Sequence, residues 1–404
     1  MNPFKVLLRT ACAALTAVLL QPGQAALAGP RVVFATGNRS TPHVSQHPGH
    51  RTLVDGARST GRRPADELAR IPASATAISG VGAMTVEGGG DPFRLADRIA
   101  SIPGVAWAEV DRTYRPLGSD PKRKAQWALD SIHAAAGWLL AGINPDPISS
   151  GPSIAVIDTG ADRTHEDLRG RIRACGAASS GRVREGTCDD WDGHGTHVAG
   201  IAGAATGNGI GISAVAAGSP LVICRAIGPS GEGSGSDVAA CIGWALRQRA
   251  KVISMSLGGP DSRALRAAVD AAAQSGALVI AAAGNDGTSA RQYPAAYGSV
   301  VSVAATSRNG QRAQFSNFNA DVEIAAPGTA VLSLSPGNRY RLMDGTSVAA
   351  PHVAGAAALL WQAHPGDTAA AIRARLDSAV RDLGRPGRDA EYGFGSLDLA
   401  RNGL

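Results

Sequence analysis

A chain of 404 residues, 44% hydrophobic, 18% charged and 4% aromatic, is long enough for two or three domains and too apolar to be disordered. Its 51 glycines, about one residue in eight, follow no triplet period, which excludes a collagen-like rod. The net charge of +6 is unevenly spread: Lys5 and Arg9 stand alone in residues 1–28, 11 Arg face 8 acids in residues 29–117, and 26 basic face 25 acidic residues in 118–404. No Lys/Arg block is present to grip phosphates, so no nucleic-acid partner is expected.

The N-terminus reads as an export signal. Lys5 and Arg9 precede the apolar run Ala11 to Leu20, and the small-residue pattern Ala26-Leu27-Ala28 follows. This predicts a Sec-type signal peptide over residues 1–28 and a secreted product, extracellular or periplasmic. The run is short for a bilayer, and no later stretch reaches about 18 apolar residues, so no stable membrane association is expected. Cys12 leaves with the signal. Cys175, Cys188, Cys224 and Cys241 remain. An even count in an exported chain predicts disulfides, with three connectivities open.

Residues 29–75 are poor in pattern, and His43, His47 and His50 sit in a Pro/Gly-bearing stretch that reads as a solvated loop. From Thr76 the pattern sharpens. Ala83 to Val86 reads as a strand. Pro92 to Ile102 carries Phe93, Leu95, Ile99 and Ile102 at helical spacing, Gly104 stops it, and Val105 to Val110 alternates as a strand. These elements predict a small α+β unit over 76–117, joined to the rest by the turn Gly118-Ser119-Asp120-Pro121.

The remainder, 118–404, alternates between strand and helix. Apolar runs recur at Ser153–Ile157, Leu221–Ile227, Lys251–Met255, Ala277–Ala282, Val300–Ala304 and Val322–Ala326. Ala-rich helical stretches lie between several of them, at Ser236–Arg249 and Ser262–Ser275. This pattern predicts an α/β fold with a central, mostly parallel sheet covered on both faces. Reactive residues are expected at the carboxyl ends of its strands.

Three motifs carry chemistry. Asp158 directly follows the first apolar strand, in Ala155-Val156-Ile157-Asp158-Thr159-Gly160, where a carboxylate needs a partner or serves as a turn cap. His194 lies in Gly193-His194-Gly195-Thr196-His197-Val198-Ala199-Gly200. The absence of Glu from that motif excludes the His-Glu-x-x-His zinc pattern. Ser347 lies in Gly345-Thr346-Ser347-Val348-Ala349-Ala350-Pro351-His352, where it could cap the helix or use its N–H groups to hold an oxyanion. Position 349 is Ala, so this is not the Gly-x-Ser-x-Gly elbow.

In the order Asp, His, Ser on a parallel α/β frame, these motifs resemble the subtilisin-like serine proteases, or subtilases, over about residues 119–404. Val252-Ile253-Ser254-Met255-Ser256-Leu257-Gly258-Gly259 and Ala281-Ala282-Ala283-Gly284-Asn285-Asp286-Gly287 belong to the same resemblance. It implies a three-layer fold and a serine endopeptidase, with Ser347 as nucleophile, His194 as base, Asp158 orienting His194, and Asn285 donating to the oxyanion. His197 and His352 are expected to be packing residues.

The resemblance further implies that an extended peptide lies between Ser256-Leu257-Gly258 and Gly231-Glu232-Gly233, with Gln292 at the floor of the primary pocket. It implies a calcium site formed by Asp120, Asp167, Asn208 and the carbonyls of Ile210 and Ile212, in a loop whose composition also fits a plain turn. It implies disulfides Cys175–Cys188 and Cys224–Cys241. Residues 29–117 then read as an inhibitory propeptide, released by self-cleavage after Leu117, with Lys122-Arg123-Lys124 as a rival site for another protease. Polypeptide substrates, the chain's own propeptide as partner, and a monomeric state follow. The alternatives are an inactive subtilase-fold binding protein, disfavoured by the intact Asp, His, Ser and Asn285, and a secreted esterase.

Overall fold

The computed structural model describes residues 31–36, 75–78, 83–87, 92–102, 105–110, 120–142 and 151–401. The signal segment, His43, His47, His50, the tail 112–117 and the first two residues of the joint lie outside them. The chain divides into two compact units at Tyr114/Arg115.

In the first unit, β1 (Arg31–Thr36), β2 (Ala75–Ile78), β3 (Ala83–Glu87) and β4 (Val105–Val110) form an antiparallel sheet in the order β2-β3-β1-β4. The helix Pro92–Ala100 buries Leu95 and Ile99 with Val32, Phe34, Ile102 and Val105. The strand β1 corrects the reading of 29–75 as patternless. Its Val32-Val33-Phe34 is β-branched and aromatic, the composition that suits a pleated surface.

The second unit holds a ten-stranded sheet. Its strands are β5 (Ile154–Asp158), β6 (Ile172–Ser179), β7 (Arg182–Glu185), β8 (Leu221–Arg225), β9 (Val252–Met255), β10 (Leu278–Ala282), β11 (Val300–Thr306), β12 (Val322–Pro327), β15 (Val380–Arg381) and β16 (Ser396–Leu397). The order is β15-β16-β12-β11-β10-β9-β5-β8-β6-β7, parallel except for the pairs β6/β7 and β15/β16. The central strands are apolar throughout because both faces are covered. Along β5, Ile154 and Val156 enter one core with the helices His194–Gly203 and Thr346–Ala363. Ala155 and Ile157 enter the other core with Gly235–Arg247 and Arg263–Gln274. This period of two on a doubly covered sheet is the three-layer arrangement expected from the sequence.

A separate hairpin, β13 (Val331–Ser335) and β14 (Arg339–Met343), packs on the His194 helix. Disulfides join Cys175 to Cys188 and Cys224 to Cys241, the pairs implied by the resemblance.

Candidate active site

Asp158 ends β5 at 2% exposure, and its Oδ1 accepts hydrogen bonds from the Thr159 N–H and from His194 Nδ1, both at 2.7 Å. The His194 helix can start this close because Gly195 has no side chain. A Cβ there would lie 2.2 Å from the Gly160 carbonyl oxygen. Asp190 fixes the same helix end. Its carboxylate accepts from the Gly193 N–H, the Thr196 N–H and hydroxyl, and the Thr159 hydroxyl. Thr159 Oγ1 accepts in turn from the Gly195 N–H. Burial alone would lower the His194 pKa. The Coulombic pull of Asp158 and their hydrogen bond, aided by Asp192 and Asp190, outweigh it and hold the pKa above the usual imidazole value.

Ser347 is the second residue of the buried helix Thr346–Ala363, which packs against the His194 helix. Two side-chain partners converge there. A Cβ on Gly345 would meet Ser347 Oγ at 2.7 Å and Asn285 Nδ2 at 3.6 Å, and Gly345 has φ +150°, a conformation closed to most other residues. Asn285 is turned so that its Oδ1 accepts from the Thr346 N–H at 2.8 Å and the Thr346 hydroxyl at 2.9 Å, leaving Nδ2 toward the serine. The Ser347 N–H lies in the first helical turn, where backbone donors have no partner within the helix. Together these groups set a serine hydroxyl beside two amide donors. Thr346, Thr159 and Asp190 escape sequence reading, because short polar residues beside a motif look like ordinary caps.

Ser256, Leu257 and Gly258 follow β9. Gln292 lies between this segment and Gly284, its Oε1 3.3 Å from a Cβ placed on Gly258 and its Cγ 2.7 Å from one on Gly284. The Gln292 amide donates to Asp286 Oδ2 at 3.0 Å, a partner that the sequence did not reveal. Gly231, Glu232 and Gly233 are exposed in the turn after β8, which is closed by the Gly228 N–H donating to the Glu232 carbonyl at 2.9 Å.

Asp120, Asp167 and Asn208 gather on the loop 206–213. Asp120 accepts from the Gly207 and Gly209 N–H groups and the Ser213 hydroxyl. Asp167 accepts from Asn208 Nδ2, the Ile212 N–H and the Tyr340 hydroxyl. Ile210 enters through its N–H, which donates to Asn208 Oδ1. Among the described residues no three His, Cys, Asp or Glu side chains cluster to hold a metal. Yet Asp120 and Asp167, at 1% and 0% exposure, have no basic side chain paired to either among the described residues, and burial pushes the Asp167 carboxyl up. Two buried carboxylates without a basic partner fit a hard divalent cation, although Ile210 and Ile212 enter the loop's bonding through their N–H groups and not the expected carbonyls.

His197 and His352 are buried. His197 Nε2 meets the Val331 and Arg341 carbonyls, and His352 Nδ1 meets that of Val348. Burial lowers their pKa values to about 3 and about 4. Both are neutral packing residues.

The profile of the subtilase family matches residues 149–395. Subtilisin E of Bacillus subtilis (strain 168) is 43% identical over 303 residues, covering 74% of this chain and 75% of its own length. An alkaline protease of Shouchella clausii is 38% identical over 289 residues, covering 71% of this chain and 72% of its own. Among solved structures, a protease from Pseudoalteromonas arctica superposes with a TM-score of 0.62 and 32% identity over 70% of this chain and 98% of that one. The profile covers more than half of the chain, and it falls on the doubly covered sheet that carries Asp158, His194 and Ser347. The chain therefore belongs to the subtilase family and is a subtilisin-like serine endopeptidase.

Proposed function

We propose that this protein is a secreted endopeptidase, made as a self-processing precursor, that cleaves peptide bonds through Asp158, His194 and Ser347. The observation that carries the reading is the buried 2.7 Å Asp158–His194 bond at the carboxyl end of β5, beside a helix that presents Ser347 next to the Asn285 amide. Ser347 Oγ attacks the peptide carbonyl, and its proton passes to His194 Nε2. Asp158 accepts the Nδ1–H, which sets the tautomer and stabilises the imidazolium. The Asn285 amide and the Ser347 N–H donate to the oxyanion. His194 returns the proton to the leaving amine. Water, deprotonated by His194, then releases the acyl group from Ser347.

Residues 29–117 act as the propeptide in this reading. The peptide strand lies between Ser256–Gly258 and Gly231–Gly233, with Gln292 at the floor of its primary pocket. Calcium would be held by Asp120, Asp167, Asn208 and the carbonyls of Ile210 and Ile212, where it would supply the positive charge that two buried carboxylates lack. No helix among the described residues is long and apolar enough to cross a membrane.

The test is a casein assay on wild type and Ser347→Ala, with and without a serine-directed covalent inhibitor. The reading requires hydrolysis that the inhibitor and the substitution both abolish, and a precursor that stays uncut in Ser347→Ala. Activity that survives in the variant would sink it. Ester hydrolysis without casein hydrolysis would point to the esterase alternative, and loss of both in the wild type to the inactive binding protein.

A further inference from the structure

The sheet ends at the hairpin β6–β7, and the sequence of β7 is Arg-Val-Arg-Glu. Its residues Arg182 and Arg184 alternate, so they share one face. Arg184 stands directly opposite Ala177 of β6, Ala177 opposite Arg225 of β8, and Arg225 opposite Asp158 of β5. One cross-strand row thus runs from the sheet edge to the carboxylate that holds His194. Strands lie about 4.8 Å apart, which puts the Arg184 and Arg225 backbones roughly 10 Å from each other. The small side chain of Ala177 leaves a notch between them.

This notch is a groove of about 550 Å³ lined by Ala178, Ser179, Arg182, Val183, Arg184 and Arg225, together with Ala177. Its only charged lining groups are the three arginines. None of them forms an ion pair among the described residues, whereas Arg123, Arg266, Arg291, Arg373 and Arg375 each hold a carboxylate. Of the acids nearby, Glu185 and Asp237 hold hydrogen bonds to neutral groups, and Glu232 lies beyond Arg225, away from Arg182 and Arg184. Glu185 accepts from Trp244 Nε1, and Asp237 accepts from the Gly181 N–H and the Ser234 hydroxyl.

The groove does not end at Arg225. A second depression of about 620 Å³ shares Ala178, Ser179 and Arg225 with it and continues past Trp191 to Glu232 and Gly233. The Arg225 guanidinium lies 4.0 Å from the centre of the Trp191 ring and donates to the Asp189 carbonyl, which holds it at the junction. Trp191, 61% exposed, stands three residues before His194.

We propose that the groove is an accessory substrate site that takes the carboxylates of an acidic stretch of polypeptide, several residues away from the bond that is cut. It rests on the endopeptidase reading above and adds a substrate preference to it. Guanidinium forks pair with carboxylates in two parallel bonds, and Arg182 and Arg184, two residues apart along one strand, have the spacing of alternate side chains in an extended peptide. Continuity with the Gly231–Gly233 turn gives a bound peptide a path from the cutting site to the arginines. The preference is electrostatic, so it is screened by salt.

The experiment compares quenched peptides that share one cleavable centre and differ only in a flank of four Glu or four Gln, placed on either side. In about 50 mM salt the better-placed Glu flank should raise kcat/KM roughly tenfold, mostly through KM, and about 500 mM salt should erase the gain. The readout is the Glu/Gln ratio, so a variant that merely folds poorly lowers both peptides alike. Arg182→Gln with Arg184→Gln should bring the ratio toward one, and Arg184→Glu should favour a Lys flank. Anisotropy of a labelled Glu-rich peptide on the mature wild type inactivated by the serine-directed covalent inhibitor reads the groove without turnover, so a failure of the groove is separable from a failure of catalysis. Equal rates for Glu and Gln flanks in the wild type, or a ratio unmoved by the double substitution, would overturn the proposal. So would arginine-dependent inhibition by heparin or DNA without any Glu gain, which would assign the groove to polyanions instead.

Discussion

The hydroxyl of Ser256 donates a 2.6 Å hydrogen bond to the main-chain carbonyl of Ser347. That carbonyl is available because its helical partner four residues on is Pro351, which has no N–H. Proline inside the helix thus opens a gap at Ser347, and a hydroxyl from the neighbouring segment fills it. Ser256 bears on Ser347 from the back as well as lying on the edge where substrate is expected.

Ser256→Ala should therefore weaken the fold as well as catalysis. It leaves a buried carbonyl unsatisfied, at about 1–3 kcal/mol. The expected result is a lower Tm and a kcat reduced several-fold. If only KM moves and Tm does not, Ser256 serves the peptide edge alone.

Thr346 holds Asn285 with its N–H and its hydroxyl, and Thr346→Val keeps the first and removes the second. We expect kcat to fall about tenfold with KM little changed, because a looser amide donates less well to a developing oxyanion. Asn285→Ala should cost more, roughly 10²–10³ in kcat, a range set by a subtilisin's own oxyanion asparagine. Equal losses in the two variants would mean that Thr346 acts on something other than Asn285.

In the proposed mechanism the raised pKa of His194 sets the acid side of the pH profile. The base must be neutral to accept a proton from Ser347, so kcat/KM should rise with pH through a value above the ordinary imidazole range. For stability the sign is opposite. The Asp158–imidazolium attraction is fully present below the unfolded imidazole pKa and is lost as pH rises through the folded one. Asp158→Asn removes the attraction, so the acid limb should move to lower pH while kcat collapses. A limb that stays in place in Asp158→Asn would mean that some other group titrates.

Much of the fold and the candidate site is legible in the sequence. The apolar runs gave the parallel strands because residues buried on both faces leave no polar alternation to misread. Asp158, His194 and Ser347 stood out because each follows a strand or opens a helix rich in small residues. The two hairpins were missed for a physical reason. Arg182–Glu185 is a mostly exposed edge strand, and Arg339–Met343 mixes intermediate and exposed residues without alternation, so neither carries a clear hydrophobic signature. Thr346 escapes because its partner Asn285 is 61 residues away, whereas Asp190 and Asp286 bond mainly to residues three to six positions on and read as ordinary turn residues.

Chelation tests the loop 206–213. If calcium offsets the buried Asp120 and Asp167, excess chelator should lower Tm, and added calcium should restore it in a concentration-dependent way. Asp167→Asn should lose most of that response. A Tm indifferent to chelator in the wild type would mean that the hydrogen bonds from Gly207, Gly209, Ser213 and Ile212 suffice to hold the two carboxylates.

The pairing of Gln292 with Asp286 changes what the primary pocket should accept. A long side chain placed against both Gly258 and Gly284 takes up space that a large aromatic residue would need, and its amide is already satisfied by the Asp286 carboxylate. The wild type should therefore prefer small or medium apolar residues before the cleaved bond. Gln292→Gly removes the obstruction and releases a carboxylate at the same time. The variant should gain cleavage after Phe and Tyr, and also after Lys and Arg, whose cations can reach Asp286. In the double variant Gln292→Gly/Asp286→Asn the basic gain should disappear while the aromatic gain remains. A peptide-library profile that shows wild-type cleavage mainly after Phe or Tyr, unchanged by Gln292→Gly, would remove Gln292 from the pocket floor.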